Sequence, residues 1–185
     1  STATYWDGKT TAKAEENLLK YSQHFTSGSM SKNSVTVSSD VTTAPDGTTT
    51  ADLILPSTSS STKSIYQAGL TVSGDNTQSV YAKANGYTKV ALRESDSGAY
   101  VASFNLASGG SVTANSNCTA TITDVGNGWF RLTMTGNRTG ATRWSTYILN
   151  PSSTNYGDST AWSGDGTSGI YLWGAQLEQR SSATA

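Results

Sequence analysis

Short runs in which apolar and polar residues alternate, each closed by a cluster of Gly, Asn, Asp or Pro, recur roughly every eight to twelve residues along most of this chain. A period of two belongs to a strand, whose successive side chains point to opposite faces. Turn clusters at that spacing mark a sandwich or barrel. The runs are Ser34–Ser38, Thr49–Leu55, Ser64–Ser73, Gln78–Ala84, Lys89–Glu94, Ala99–Leu106, Thr119–Val125, Gly128–Thr135, Arg143–Asn150 and Gly169–Glu178. Between them stand Ala44-Pro45-Asp46-Gly47, Gly74-Asp75-Asn76 and Asn127-Gly128. Parity sorts the faces: Val80 and Ala82 oppose Tyr81 and Lys83, Val90 and Leu92 oppose Lys89, Ala91 and Arg93, and Tyr100, Ala102, Phe104 and Leu106 share one side. About ten strands exceed what one open sheet holds before it splits. The expected fold is therefore all-β, a two-sheet antiparallel β-sandwich.

Composition points the same way. Ser and Thr supply 58 of 185 residues, and charged residues only 14%. That mixture favours strands and turns over a helical bundle. Five Trp, nine Tyr and three Phe carry too much apolar surface for a chain that stays solvated and disordered. Residues 1–16 read as a leader, with one turn at Tyr5–Gly8 and a helical turn or two over Thr10–Glu16. Residues 17–180 read as the sandwich domain and 181–185 as a tail. The stretch from Pro151 to Ser168 has no strand pattern, and a loop of that length is usually functional. Ser1–Lys20 lacks the apolar core of a signal peptide, so the chain reads as a mature form, an excised domain or a phage-type protein released by lysis.

Several chemistries lack their residues. Net charge is −1, the 12 Lys and Arg form no run, and no apolar run reaches the ~18 residues of a span, so neither a nucleic acid nor membrane insertion is expected. One histidine, His24, and one cysteine, Cys118, cannot make a His/Cys metal site. His24 has no elbow serine to serve as a triad base. The four Glu and nine Asp sit mainly in leader or turn contexts rather than as a pair flanking a cleft. The chain is not expected to be an enzyme.

Binding fits better. Rings pack on the C–H faces of a sugar while amides, hydroxyls and guanidinium groups read its hydroxyls. Trp129 and Trp173 have apolar neighbours and are expected in the core, whereas Trp162, in its polar loop, is expected at the surface. The candidate carbohydrate-binding residues are Tyr81, Arg93, Tyr100, Trp144, Trp162 and Gln176. The rings would stack, and Arg93 and Gln176 would donate to hydroxyls or to a uronate carboxylate.

Five segments carry a resemblance. Asn17–Phe25 (N-L-L-K-Y-S-Q-H-F), Thr43–Asp52 (T-A-P-D-G-T-T-T-A-D), Gln78–Ala84 (Q-S-V-Y-A-K-A), Gly126–Arg131 (G-N-G-W-F-R) and Tyr171–Glu178 (Y-L-W-G-A-Q-L-E) resemble, in order and spacing, jelly-roll carbohydrate-binding modules of bacteriophage tail and tail-fibre proteins. Those are similar in turn to modules on bacterial xylanases and cellulases. The resemblance implies a jelly-roll, concanavalin-like sandwich without catalysis that binds a polysaccharide or cell-surface glycan along its concave sheet or at loop tips. It implies an extracellular or virion-associated setting. The alternative within the same resemblance is a structural, decoration or oligomerisation domain of a virion or tail fibre, a homo-oligomer with its aromatics buried between protomers. Many such modules hold a structural calcium with paired acidic residues in the last strand. Here Trp173–Gln176 has no acidic pair, so no cofactor is required, and Glu178 with the backbone near Glu16 are the hard oxygen ligands left for a calcium.

Overall fold

The computed structural model describes residues 4–6, 11–13, 17–94, 100–159 and 161–184. Among them are fourteen strands and no helix. In chain order these are β1 (Thr4–Trp6), β2 (Thr11–Lys13), β3 (Ser31–Asn33), β4 (Val35–Thr42), β5 (Ala51–Pro56), β6 (Lys63–Val72), β7 (Asp75–Asn85), β8 (Lys89–Glu94), β9 (Tyr100–Asn105), β10 (Ser111–Ser116), β11 (Thr119–Gly126), β12 (Trp129–Asn137), β13 (Gly140–Ile148) and β14 (Gly169–Glu178). Strands β1 and β2 pair as a separate hairpin. The other twelve form two six-stranded antiparallel sheets, the first ordered β10–β9–β8–β13–β6–β3 and the second β11–β12–β7–β14–β5–β4. The all-β, two-sheet expectation therefore holds.

All ten sequence runs are strands. The reading missed β3 and β10, whose Ser, Lys, Asn and Thr residues are mostly exposed and show no apolar row. The helical turns expected over Thr10–Glu16 are corrected at Thr11–Lys13, which is extended because it finds the edge of Thr4–Trp6 to pair with. The turn expected at Tyr5–Gly8 begins instead with two strand residues, and Glu15 and Glu16 lie outside the described residues.

The inner faces meet through the predicted rows. Val80 and Ala82 of β7, Leu132 and Met134 of β12 and Ile170, Leu172 and Leu177 of β14 face Val90 and Leu92 of β8, Phe104 of β9, Ile65 and Val72 of β6 and Trp144 of β13. Burying side chains of this size contributes about 1.5–3 kcal/mol each. Trp144 is fully buried at the centre, its ring 6.0 Å from that of Phe25 and its Nε1–H donating to the Ser79 carbonyl across the sandwich at 3.4 Å. Gln78 spans the same gap, donating from Nε2 to the Arg143 carbonyl at 3.0 Å.

The ends of the sandwich are closed by polar residues with specific partners. Asp52, buried in β5, accepts from the backbone N–H of Phe25 and of Asp40, each at 3.0 Å, and burial pushes its pKa up. Lys63, also buried, donates from Nζ to Ser57 Oγ, the Ser59 carbonyl and Ser61 Oγ, which ties down the loop after β5. Trp144→Ala removes the largest inward ring and is expected to cost about 3–5 kcal/mol, read as a lower urea midpoint at unchanged slope.

Candidate functional site

The outer face of the second sheet is where four of the five resembling segments converge. The organising element is a bulge in β14. Trp173 stands opposite Tyr81, yet Gln176, three residues on, stands opposite Ser79 on the same side. In an unbroken strand, positions three apart face opposite ways. The extra residue at Gly174–Ala175 resets the parity, so Trp173 and Gln176 both point out while Leu172 and Leu177 both point in. Gly174 supplies the left-handed φ of 60° that the bulge needs. The backbone released there is taken up by the opening segment of the domain. Asn17 Nδ2 donates to the Ala175 carbonyl at 3.0 Å, Asn17 Oδ1 accepts from the Leu177 N–H at 3.0 Å, and the Ala175 N–H donates to the Ser22 carbonyl at 2.8 Å.

Cross-strand register then assembles the site. Arg131 of β12 stands opposite Tyr81 of β7, and Tyr81 opposite Trp173 of β14. The Arg131 guanidinium lies over the Tyr81 ring at 5.4 Å, and the Tyr81 and Trp173 rings are 5.3 Å apart. Arg131 Nη2 donates to Gln176 Oε1 at 3.0 Å, as does Ser79 Oγ at 3.1 Å. Arg131 Nε is buried with no hydrogen-bond acceptor. The loop between β4 and β5 closes one end of this strip. A turn in which the Asp46 carboxylate accepts from Thr48 N–H (2.9 Å) and Oγ1 (2.7 Å) shapes it, and those bonds hold the Asp46 pKa below the usual range. Trp129 Nε1–H donates to the Thr43 carbonyl at 3.1 Å and Trp173 Nε1–H to Thr50 Oγ1 at 3.0 Å.

Beyond Arg131 the face is a groove of about 500 Å³. Its floor is Thr119, Thr121 and Thr123 of β11 with Arg131, Thr133 and Thr135 of β12, and Ser181, Ser182 and Ala183 form its wall. Thr184 anchors that wall. Its carbonyl accepts from Arg131 Nη2, and its N–H and hydroxyl each reach one oxygen of the buried Glu178 carboxylate. Two donors therefore already point at Glu178, and among the described residues no three His, Cys, Asp or Glu side chains gather. The backbone near Glu16, the other source of oxygen ligands expected for a calcium, lies outside the described residues.

The candidate residues fall in three places. Tyr81 and Gln176 come together, joined through Arg131. Arg93 stands on the outer face of the first sheet, opposite Val101, with its guanidinium 5.2 Å from the Tyr156 ring. The remaining three point inward. Trp144 is core, because Arg143 at a register shift turns the next residue toward Phe25. Trp162 is buried as well, which corrects its expected exposure. Its backbone pairs with Ser61, and its ring packs edge-on against Tyr87 at 5.1 Å to plug one end of the sandwich. Tyr100 packs half-buried on the core and so tightly on Gly136 that a Cβ there would lie 2.9 Å from its ring. Trp129 is in a buried cluster as expected, but Trp173 is only half-buried beside it. The reading missed Arg131 and the threonine floor, although Thr-Ala-Thr-Ile-Thr at 119–123 is a period-two row of hydroxyls visible in the sequence.

No protein-family model matches the sequence, and no curated protein sequence matches it significantly. Three solved structures are among those the fold is similar to. One is the enzymatically active domain of bacteriophage CBA120 tailspike protein 4 (12% identity, TM-score 0.47, over 87% of this chain and 21% of that one). Another is TmCBM61 in complex with β-1,4-galactotriose (13%, 0.45, over 89% and 99%). The third is Clostridium thermocellum xylanase 10B, its CBM22-1–GH10 modules complexed with xylohexaose (12%, 0.45, over 85% and 27%). The chain thus spans about a fifth of the tailspike chain and about a quarter of the xylanase chain.

Gly174→Ala places a Cβ 3.1 Å from Tyr81 at a left-handed φ and is expected to cost about 1–2 kcal/mol in urea unfolding. Of the four tryptophans whose side chains are described, Trp173 alone is more than a tenth exposed. In a Trp6→Phe background, Trp173→Phe is expected to remove most of the fluorescence that acrylamide quenches.

Proposed function

We propose that this domain is a non-catalytic carbohydrate-binding module that takes a polysaccharide or cell-surface glycan along the outer face of its second sheet. The observation that carries the reading is the strip Trp173–Tyr81–Arg131–Gln176 running into a threonine-lined groove. Two partly exposed rings, Trp173 and Tyr81, offer apolar surface to sugar C–H groups. Arg131 and Gln176 offer a donor and an adaptable amide, and the groove beyond them presents rows of hydroxyls to a partner covered in hydroxyls. An aromatic contact of this kind contributes roughly 1 kcal/mol, so a single copy would bind weakly and gain from repetition.

The placement of the carboxylates favours binding over hydrolysis. Asp52 is held by two backbone N–H groups, Glu94 is buried against Arg138, and Glu178 is occupied by Thr184. None stands beside another across the groove as a hydrolytic pair would. Among the described residues no helix is long and apolar enough to cross a membrane, and the reading places the domain outside the cell or on a virion.

Affinity electrophoresis in gels holding β-1,4-galactan, xylan or host-surface glycans tests the proposal. At least one gel is expected to retard the protein. Tyr81→Ala is expected to weaken that retardation about tenfold, the loss of one stacked ring and of the surface that orients Arg131. Bound glycan should protect Trp173 from acrylamide. Retardation by none of these glycans, or reducing ends released from any of them, would overturn the reading. A stable trimer with Trp173 protected before any glycan is added would favour the assembly role instead.

A further inference from the structure

The two sheets carry opposite charge. The strands of the first contain five cations, Lys32, Lys63, Lys89, Arg93 and Arg143, against one carboxylate, Glu94. The strands of the second contain five carboxylates and two cations. This separation occurs in a chain whose net charge is only −1. Glu94 is fully buried, with Arg138 Nε 3.1 Å from its Oε1. Among the described residues, no strand of the first sheet therefore brings a carboxylate to its outer face, where Lys89, Arg93 and Arg143 stand; Asp96, which follows β8, lies outside them. The loop that crosses this face contributes Asp158, which accepts at 2.7 Å from both Thr154 Oγ1 and Asn155 Nδ2.

On that face the two arginines belong to a continuous ladder drawn from β6, β8, β13 and the loop after β13. The Arg143 guanidinium lies over the Tyr66 ring at 5.0 Å and donates from Nη2 to the Tyr147 hydroxyl at 3.1 Å. Tyr147 meets Tyr156 edge-on at 4.9 Å, and Arg93 lies over Tyr156 at 5.2 Å. Tyr156 is pinned by its N–H to Ser103 Oγ at 2.9 Å, and burial raises its pKa, so its hydroxyl stays neutral. A guanidinium laid on a ring has already lost much of its rotamer freedom, so less is given up when it binds, and its planar fork matches a carboxylate. Partial burial strengthens that charge contact relative to open water.

We propose that the outer face of the first sheet is a second binding surface, selective for an acidic, carboxylate-bearing polysaccharide, on the opposite side of the sandwich from the threonine groove. The half-buried Tyr66 hydroxyl would serve a sugar hydroxyl, with the buried Tyr147 holding the arginine in place, and Arg93 and Arg143 would take carboxylates on successive acidic units. A polyphosphate partner is disfavoured, because three cations on one face are few for a phosphate backbone. The inference does not depend on the groove binding anything.

The test is affinity electrophoresis in gels holding polygalacturonate, at low salt and with about 200 mM added salt, with duplex DNA gels alongside. The intact chain is expected to be retarded by polygalacturonate and not by DNA, with the retardation falling as salt rises. Arg93→Gln and Arg143→Gln are each expected to weaken it about tenfold. Arg93→Lys and Arg143→Lys, which keep charge but not the planar fork, should fall between, all at unchanged melting temperature. Tyr81→Ala, on the opposite face, should be retarded by polygalacturonate as strongly as the parent. No retardation at low salt, equal retardation by DNA, or lysine variants indistinguishable from the parent would overturn the proposal. So would loss of polygalacturonate binding in Tyr81→Ala.

Discussion

The bulge at Gly174–Ala175 is the constraint on which both the core and the outer strip depend. Strand β14 lies inside the second sheet, paired with β7 on one side and β5 on the other. Leu172 and Leu177 must both enter the core, and they are an odd number of residues apart. A straight strand cannot satisfy both. The extra residue resolves the conflict and, as its consequence, turns Trp173 and Gln176 out together beside Tyr81 and Arg131. The cost of a broken ladder is offset by Asn17, whose single amide bonds both sides of the break. The opening of the domain and its last strand are thus one structural unit, although more than 150 residues separate them.

A second consequence concerns where a chain so poor in charge places the charges it has. Buried ones are matched individually: Glu94 by Arg138, Asp52 by two backbone N–H groups, Lys63 by serine oxygens and a carbonyl. Each match offsets a desolvation cost that an unpaired group would impose in full. The outer faces keep the rest, and there the two sheets differ. One presents threonine hydroxyls around a single stacked arginine. The other presents stacked arginines with no carboxylate from its own strands. Ring-stacked guanidinium groups occur on both, so the same local device sits in two different fields.

Much of the fold was legible in the sequence because burial on one side of a strand leaves a period-two trace. Val80 and Ala82 against Tyr81 and Lys83, and Val90 and Leu92 against Arg93, stand in the structure as parity places them. Strands β3 and β10 left no such trace, since they are edges with little to bury. The site was legible only in pieces. Tyr81 and Gln176 are outward and adjacent, but the Arg131 that joins them was not singled out, because its role comes from standing opposite Tyr81 on another strand. Trp162 was misread for the converse reason. Its neighbours in sequence are polar, while its neighbours in space are Tyr87 and Lys63.

The sequence by itself determined that this chain is a sandwich of antiparallel strands, which aliphatic rows alternate with polar ones along them, and that aromatic rings and hydroxyls dominate its composition. Those properties follow from local periodicity and composition, which act residue by residue. Tertiary structure alone decided which rings remain outside, which arginine lies on which tyrosine, and that Arg93 and Tyr81 belong to opposite faces. Those outcomes depend on strand register, on bulges that reset parity, and on loops folding back over a sheet, all of them contacts between residues far apart in the chain.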